Sequence, residues 1–250
     1  MTANEMATEL ELELDRSSSF GSPGYEDFEL ASVLNKAQEL YVKKFIDRKN
    51  NRKSESFEET EIRGQGLSAL IKRAVALTVS ADQTGVFPNG QYFDLPEDFM
   101  YCIQEDVTID KNVCNTNDPI VASVSIVQHD EVTSYRGNKY KKPYYKNYGS
   151  AKIWRLFYSR EIDGYDPALT ATDKRHQLIT DGTFNVADYT MSYLINPKEI
   201  IVDRATPANQ RNCTLDESTH LTIIGIATDL MMNRVKEQKM QNIESLKDLE

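Results

Sequence analysis

The sequence predicts an α+β protein: a helical bundle formed by N- and C-terminal segments, with an antiparallel β-sheet or small barrel domain inserted into it. Three observations lead there. Apolar residues recur at three- and four-residue spacing over 28–46 and again over 215–235, near opposite ends of the chain. From Arg73 onward the period drops to two, in several separate segments that reach to about Val202. The composition, 40% hydrophobic and 27% charged over 250 residues, is that of an ordinary globular chain large enough for a real core. The expected division is a helical domain of 1–73 plus 213–235, a β-rich insertion of 74–212, and a charged tail of 236–250.

The elements follow in order. Thr2-x-x-Glu5 has the form of a capping box, and Met6, Leu10 and Leu14 share a face behind it. A helix with so few apolar residues is not stable alone, so it folds back or docks on another chain. Ser17 to Gly24 breaks it with Pro23 and Gly24. The second helix carries Val33, Leu34, Ala37, Leu40, Tyr41 and Phe45 on one stripe, ended by the polar run 47–54. A third helix is expected over 57–72, with Ile62, Leu67, Leu70 and Ile71 apolar.

Val75, Leu77 and Val79 then alternate with small polar residues, and 84–90 is rich in turn formers. Tyr101, Ile103, Val107 and Ile109 alternate in turn, as do Ile120, Ala122, Val124 and Ile126. Strands are also expected over 153–158 and 190–202, the last interrupted at Asn196-Pro197. At least five strands fit this pattern. Thr214-Leu-Asp-Glu217 has the form of a second capping box, opening a helix with Leu221, Ile224, Ala227 (or Thr228), Met231 and Val235 inward.

Composition excludes several functions. No run approaches the roughly 20 apolar residues of a membrane helix, so no membrane partner is expected. Cys102, Cys114 and Cys213 are few and widely spaced, the usage of a chain made in a reducing cytoplasm. With His129, His176 and His220 they form no close metal-ligand pair, and no nucleophile elbow or phosphate loop is present. Glu97-Asp98 and Glu105-Asp106 read as solvated loops. No catalytic residue, metal or cofactor is expected.

Charge is the one informative constellation. The net charge is −10, yet 132–160 holds eight Lys and Arg residues and no acid, leaving −18 on the rest of the chain. Tyr135, Tyr140, Tyr144, Tyr145, Tyr148 and Tyr158 interleave with those cations, while Gly137, Asn138, Pro143 and Gly149 favour a loop. Arg136, Lys139, Tyr140, Lys141, Lys142, Tyr144 and Tyr145 are therefore interface candidates. Three readings stay open: a solvated loop whose tyrosines cover the sheet, a protein interface, and a nucleic-acid-binding loop that stacks bases. Met240, Ile243 and Leu246 give the tail a weak apolar face and are a second set of interface candidates.

Five motifs in order carry a family resemblance: Leu34-Asn-Lys-Ala-Gln-Glu-Leu-Tyr41, Asp94-Leu-Pro-Glu-Asp-Phe99, Lys139-Tyr-Lys-Lys-Pro143, Tyr193-Leu-Ile-Asn-Pro197 and Asn212-Cys-Thr-Leu-Asp-Glu-Ser-Thr-His220. The series, spanning 28–235, resembles the head–tail connector (adaptor or ring) proteins of short-tailed crAss-like bacteriophages. Leu215-Asp216-Glu217 departs from the Leu-Pro-Glu frequent at that point in such proteins. The resemblance implies a non-enzymatic virion structural protein, made in the host cytoplasm and placed at the head–tail junction. It implies a ring at the portal vertex that joins the capsid portal to the tail and extends the DNA channel. The implied partners are the portal protein, further tail ring or tail components, copies of itself in a cyclic ring, and packaged DNA passing through the channel.

Overall fold

In the computed structural model, which describes residues 1–17, 24–46, 65–81, 83, 87–110, 120–146, 150–159 and 174–247, the chain divides into two units. Met1–Leu70 and Pro197–Glu250 form the first, and Ile71–Asn196 the second. The expected 18–23 link, the 47–54 connector, residues 57–64 of the third helix, the 84–86 turn, Cys114, Tyr148, Gly149 and Arg160 lie outside the described residues.

In the first unit, helix α1 (Ala3–Ser17) opens with the expected capping box. The Thr2 amide donates to Glu5 Oε2 at 2.8 Å, and the Glu5 amide donates to Thr2 Oγ1 at 3.3 Å. Ala3, Met6, Ala7, Leu10 and Leu14 are buried, so α1 folds back onto its own unit. Helix α2 (Asp27–Ile46) buries Leu30, Val33, Leu34, Ala37, Tyr41 and Val42, while Leu40, expected on that stripe, is 45% exposed. The expected third helix ends early: 65–67 are helical, Ser68–Leu70 form a 3₁₀ turn, and the chain is already extended at Ile71.

The return segment after Pro197 is held by side-chain amides rather than by a sheet. Asn35 donates to the Ile200 carbonyl (3.0 Å) and accepts from the Ile200 amide (2.7 Å). Gln38 donates to the Lys198 carbonyl (3.0 Å), and Asn4 makes the same two-way contact with Asp203. Arg204 forks onto Glu11 at 2.8 and 3.1 Å. The chain's last helix, α4, runs Glu217–Lys247. Its cap is Asp216, which accepts from the Ser218 amide at 3.0 Å, not Thr214, whose hydroxyl is buried without a partner among the described residues. Ser218 holds the Asp216 carboxyl below the usual carboxylate range. His220, Ile223, Ile224, Ala227 and Met231 face inward and Leu221, expected there, is 66% exposed. Helices α1, α2 and α4 touch one another pairwise.

The second unit is an eight-stranded sheet. Its strands are β1 (Ile71–Ala76), β2 (Gly90–Asp94), β3 (Phe99–Asp110), β4 (Ile120–Ile126), β5 (Tyr144–Lys146), β6 (Ser150–Ser159), β7 (Lys174–Ile179) and β8 (Asn185–Ile195). The order is β1-β8-β3-β4-β6-β7-β2, with β5 beside β6. The expected antiparallel sheet needs correction: β4 and β6 are parallel, so the sheet is mixed. A parallel pair requires a long crossover, to which 127–146 belong. Part of that crossover is helix α3 (Val132–Gly137), where a loop was expected. The two sheet edges meet after β1, since the Leu77 amide donates to Tyr189 of β8 and the Ser80 amide to Tyr92 of β2. The sheet therefore curls into a half-barrel. Alternation misplaces three residues: Ile126 is 62% exposed, Val79 50% and Tyr101 38%.

Inside the curl, Phe93, Val107, Ile109, Ile153, Leu178, Tyr189 and Met191 belong to one apolar cluster. Among them runs a closed polar loop. Arg155 Nη1 lies 2.9 Å from His176 Nε2, His176 Nδ1 lies 2.6 Å from Tyr189 Oη, Tyr189 Oη lies 2.9 Å from Glu105 Oε2, and Glu105 Oε1 lies 3.2 Å from Arg155 Nε. Arginine can only donate, so Nε2 accepts and the imidazole proton sits on Nδ1. Nδ1 then donates to the Tyr189 oxygen, whose own proton goes to Glu105. His176 is fully buried and Arg155 7% exposed.

Breaking this loop leaves buried groups unpaired. Tyr189→Phe should cost about 1–3 kcal/mol and Arg155→Met about 3–5 kcal/mol, read by urea denaturation. Burial, then the Arg155 charge, pushes His176 down to about 2. The unfolded chain, with an ordinary histidine near 6.5, binds the proton that the folded chain refuses. Stability is thus complete above about pH 6.5 and falls as pH drops toward 2. His176→Gln should flatten the slope of unfolding free energy between about pH 6.5 and 5, a window bounded above by the free histidine value.

Candidate functional site

The basic segment is built on Trp154. Strand β6 is buried on both faces: Ile153 faces the curl, while Trp154 and Leu156 lie outside it in a second cluster with Val127, Val132 and Ile179. Helix α3 covers that outer face through Val132, and Tyr135 lies against the Trp154 ring at 6.2 Å between centroids. Trp154 Nε1 donates to the Lys141 carbonyl at 2.8 Å, tying the following turn to the same residue. Asn138 gathers the rest. Its carbonyl accepts from the Lys141 and Lys142 amides, and its side-chain oxygen accepts from the Tyr140 amide at 3.0 Å.

The result is a fixed knuckle rather than a loose loop. Arg136, Lys139, Tyr140, Lys141, Lys142 and Lys146 are exposed, and Tyr140 is 89% exposed. Lys141 Nζ sits 3.9 Å above the Tyr135 ring and Lys146 Nζ 4.9 Å from the Tyr144 ring. Tyr144 and Tyr145 are half-buried, the latter beside Phe184 at 6.1 Å. Tyr158 packs on His129 and Tyr92. The tyrosines thus divide: most cover the sheet, and Tyr140 alone among the described ones is held out into solvent. Arg155, counted with the surface cations from sequence, instead turns inward to the polar loop. A cleft of about 210 Å³ opens beneath the knuckle, with Arg136 and Lys142 above Phe87, Pro143 and Trp154.

The second candidate set, Met240, Ile243 and Leu246, falls on the C-terminal part of α4, whose side chains lie outside the described ones. Several other titratable groups are engaged structurally. Asp98 accepts from Tyr193 at 3.0 Å and pairs with Lys72, while Glu105 belongs to the polar loop. Burial, then Glu105, pushes the Cys102 thiol up to about 12, which leaves it protonated at neutral pH. Burial likewise raises Cys213 and lowers His220. Among the described residues, no group of three His, Cys, Asp or Glu is placed to hold a metal, and no helix is long and apolar enough to cross a membrane.

Anchor and surface should separate in experiment. Trp154→Ala removes the residue on which the knuckle rests and should cost about 3–5 kcal/mol. Lys139→Glu, Lys141→Glu and Lys142→Glu should each stay within about 0.5 kcal/mol of the parent in the same denaturation assay.

Comparison with known proteins finds similarity to phage structural proteins. A family model described as phage tail ring protein 3/4 matches residues 1–242. Ring protein 4/5 of Bacteroides phage crAss001 is 23% identical over 229 residues, covering 91% of this chain and 83% of that protein. Both units, the basic knuckle and most of α4 fall inside the matched span, and on that basis the chain belongs to the tail ring protein family of crAss-like phages.

Proposed function

We propose that this chain forms a closed ring at the portal vertex of the virion, joining the capsid portal to the tail and extending the channel through which DNA passes. The observation that carries this reading is the family match over 1–242, which takes in both units. In this reading the terminal helices act as a bundle that meets the portal, and the β unit meets a further tail ring or a neighbouring copy. Residues 236–250 act as the portal-docking tail, with Met240, Ile243 and Leu246 as its apolar contacts. Cyclic rings are made by heterologous contacts, one surface meeting a different surface of the next copy. A chain with a fixed cationic knuckle and a strongly acidic remainder is suited to that.

A second reading rests on the same knuckle. Exposed Tyr140 between Lys139 and Lys141 is an arrangement that can stack a base and neutralise flanking phosphates. It predicts binding of the isolated chain to DNA that weakens steeply with salt. A ring component should instead show affinity for protein.

The ring reading is tested by weighing this chain against the major capsid protein in purified DNA-filled particles by quantitative mass spectrometry. About a dozen copies per particle is the expected result for one closed ring. Absence would remove the reading, and hundreds of copies would make the chain a shell component. Deleting 236–250 should leave a folded chain that no longer co-purifies with the portal protein. Unchanged co-purification would remove the docking role of the tail.

A further inference from the structure

A second surface, on the helical unit, is complementary to the knuckle. Helices α1 and α4 flank a groove of about 420 Å³, within the roughly 300–1,000 Å³ of functional clefts. Its α4 side presents Leu221, Gly225 and Thr228: Leu221 is 66% exposed there although Ile223 and Ile224 beside it are buried. One turn further along α4, Gly225 presents bare backbone, and nothing lies within 4 Å of where a Cβ would stand. Its rim is acidic, formed by Glu9 and Glu13 of α1 and Asp229 of α4, with Glu13 also paired to the exposed Arg16 at 2.8 Å. An exposed leucine beside an open glycine, ringed by carboxylates, suits a partner that brings one large flat side chain flanked by cations.

We propose that the occupant is the knuckle of a second copy of this chain, with Tyr140 seated over Gly225 and against Leu221, and Lys139 and Lys141 paired with Glu9, Glu13 and Asp229. Three observations favour a second copy. Tyr140 is the most exposed of the exposed large hydrophobic side chains, and its flanking residues are both lysines. The knuckle is already held in shape by Asn138 and Trp154, so little ordering cost attends its docking. Each chain carries one knuckle and one groove, so the contact is heterologous, propagates from copy to copy, and closes wherever the rotation permits. Tyrosine is among the residues enriched at the energetic centres of such contacts. The inference rests on the ring reading and adds to it the two faces that meet.

The native particle supplies the test. Zero-length carbodiimide coupling joins a lysine to a carboxylate only at ion-pair range, and needs no substitution. In purified particles it should give a ladder of covalent multimers of this chain, with Lys139 or Lys141 joined to Glu9, Glu13 or Asp229 in the digested bands. If the chain is present at about a dozen copies and its knuckle lysines couple elsewhere, only within one chain, or not at all, this inference falls and the ring reading stands. If the chain is absent from particles, both fall. Charge exchange gives an independent arm. Lys139→Glu with Lys141→Glu, and separately Glu9→Lys with Glu13→Lys, should each reduce incorporation into particles at least about tenfold, the factor that 1.4 kcal/mol of lost contact represents. All four together should restore it; a four-fold variant that folds but is not incorporated overturns the pairing.

Discussion

Glu105, Arg155, His176 and Tyr189 come from β3, β6, β7 and β8, and each is in hydrogen-bond or ion-pair contact with the next within the curled sheet. A sheet that closes on itself must fill its interior, and here part of the filling is charged. Burying one such charge alone is prohibitive, so the four groups are acceptable only together. Register follows from that requirement. A slip of one residue in any of the four strands would turn its polar member to the other face and strand the remaining three. The aromatic shell restricts the loop further, with Phe99 and Phe157 edge-on to His176 and Phe93 edge-on to Tyr189.

The surface chemistry of the β unit depends on the same strand. With Arg155 turned into the curl, its neighbours Trp154 and Leu156 face outward and must be covered. Helix α3 and the turn after it supply that cover. The knuckle is therefore both a lid on apolar surface and a carrier of exposed cations, and the two roles fall on different side chains. Val132 and Tyr135 pack, while Arg136, Lys139, Tyr140 and Lys142 project. In the helical unit an analogous division holds along α4, where Ile223, Ile224 and Ala227 pack and Leu221 and Asp229 line a groove.

How far the sequence discloses this differs by element. Capping at Thr2-x-x-Glu5 and the α2 stripe were legible because a helix repeats its signal along one face. Strand β7, Lys-Arg-His-Gln-Leu-Ile, was not, because it is buried on both faces while carrying polar residues, so neither alternation nor an apolar run marks it. The inward turn of Arg155 was hidden for the same reason: charge patterning cannot tell a surface cation from one paired across strands. The motif Leu34-Asn-Lys-Ala-Gln-Glu-Leu-Tyr41 was visible as a resemblance, while its physical content, Asn35 and Gln38 gripping the return segment at Lys198 and Ile200, appears only once both partners are in space. Likewise Asp98 and Tyr193 stand in two separate motifs and share one hydrogen bond. Asp216, which departs from the pattern the family resemblance led one to expect, is itself the cap of α4.

In the proposed ring, copies of this chain meet through unlike faces. A cryo-electron microscopy reconstruction of the portal vertex in DNA-filled particles tests this most directly. The account predicts a closed cyclic layer of this chain, with the α3–β5 knuckle of each copy filling the α1–α4 groove of the next. A layer in which that groove faces solvent while the knuckle touches DNA or a different protein would contradict the account, as would a vertex that lacks the chain.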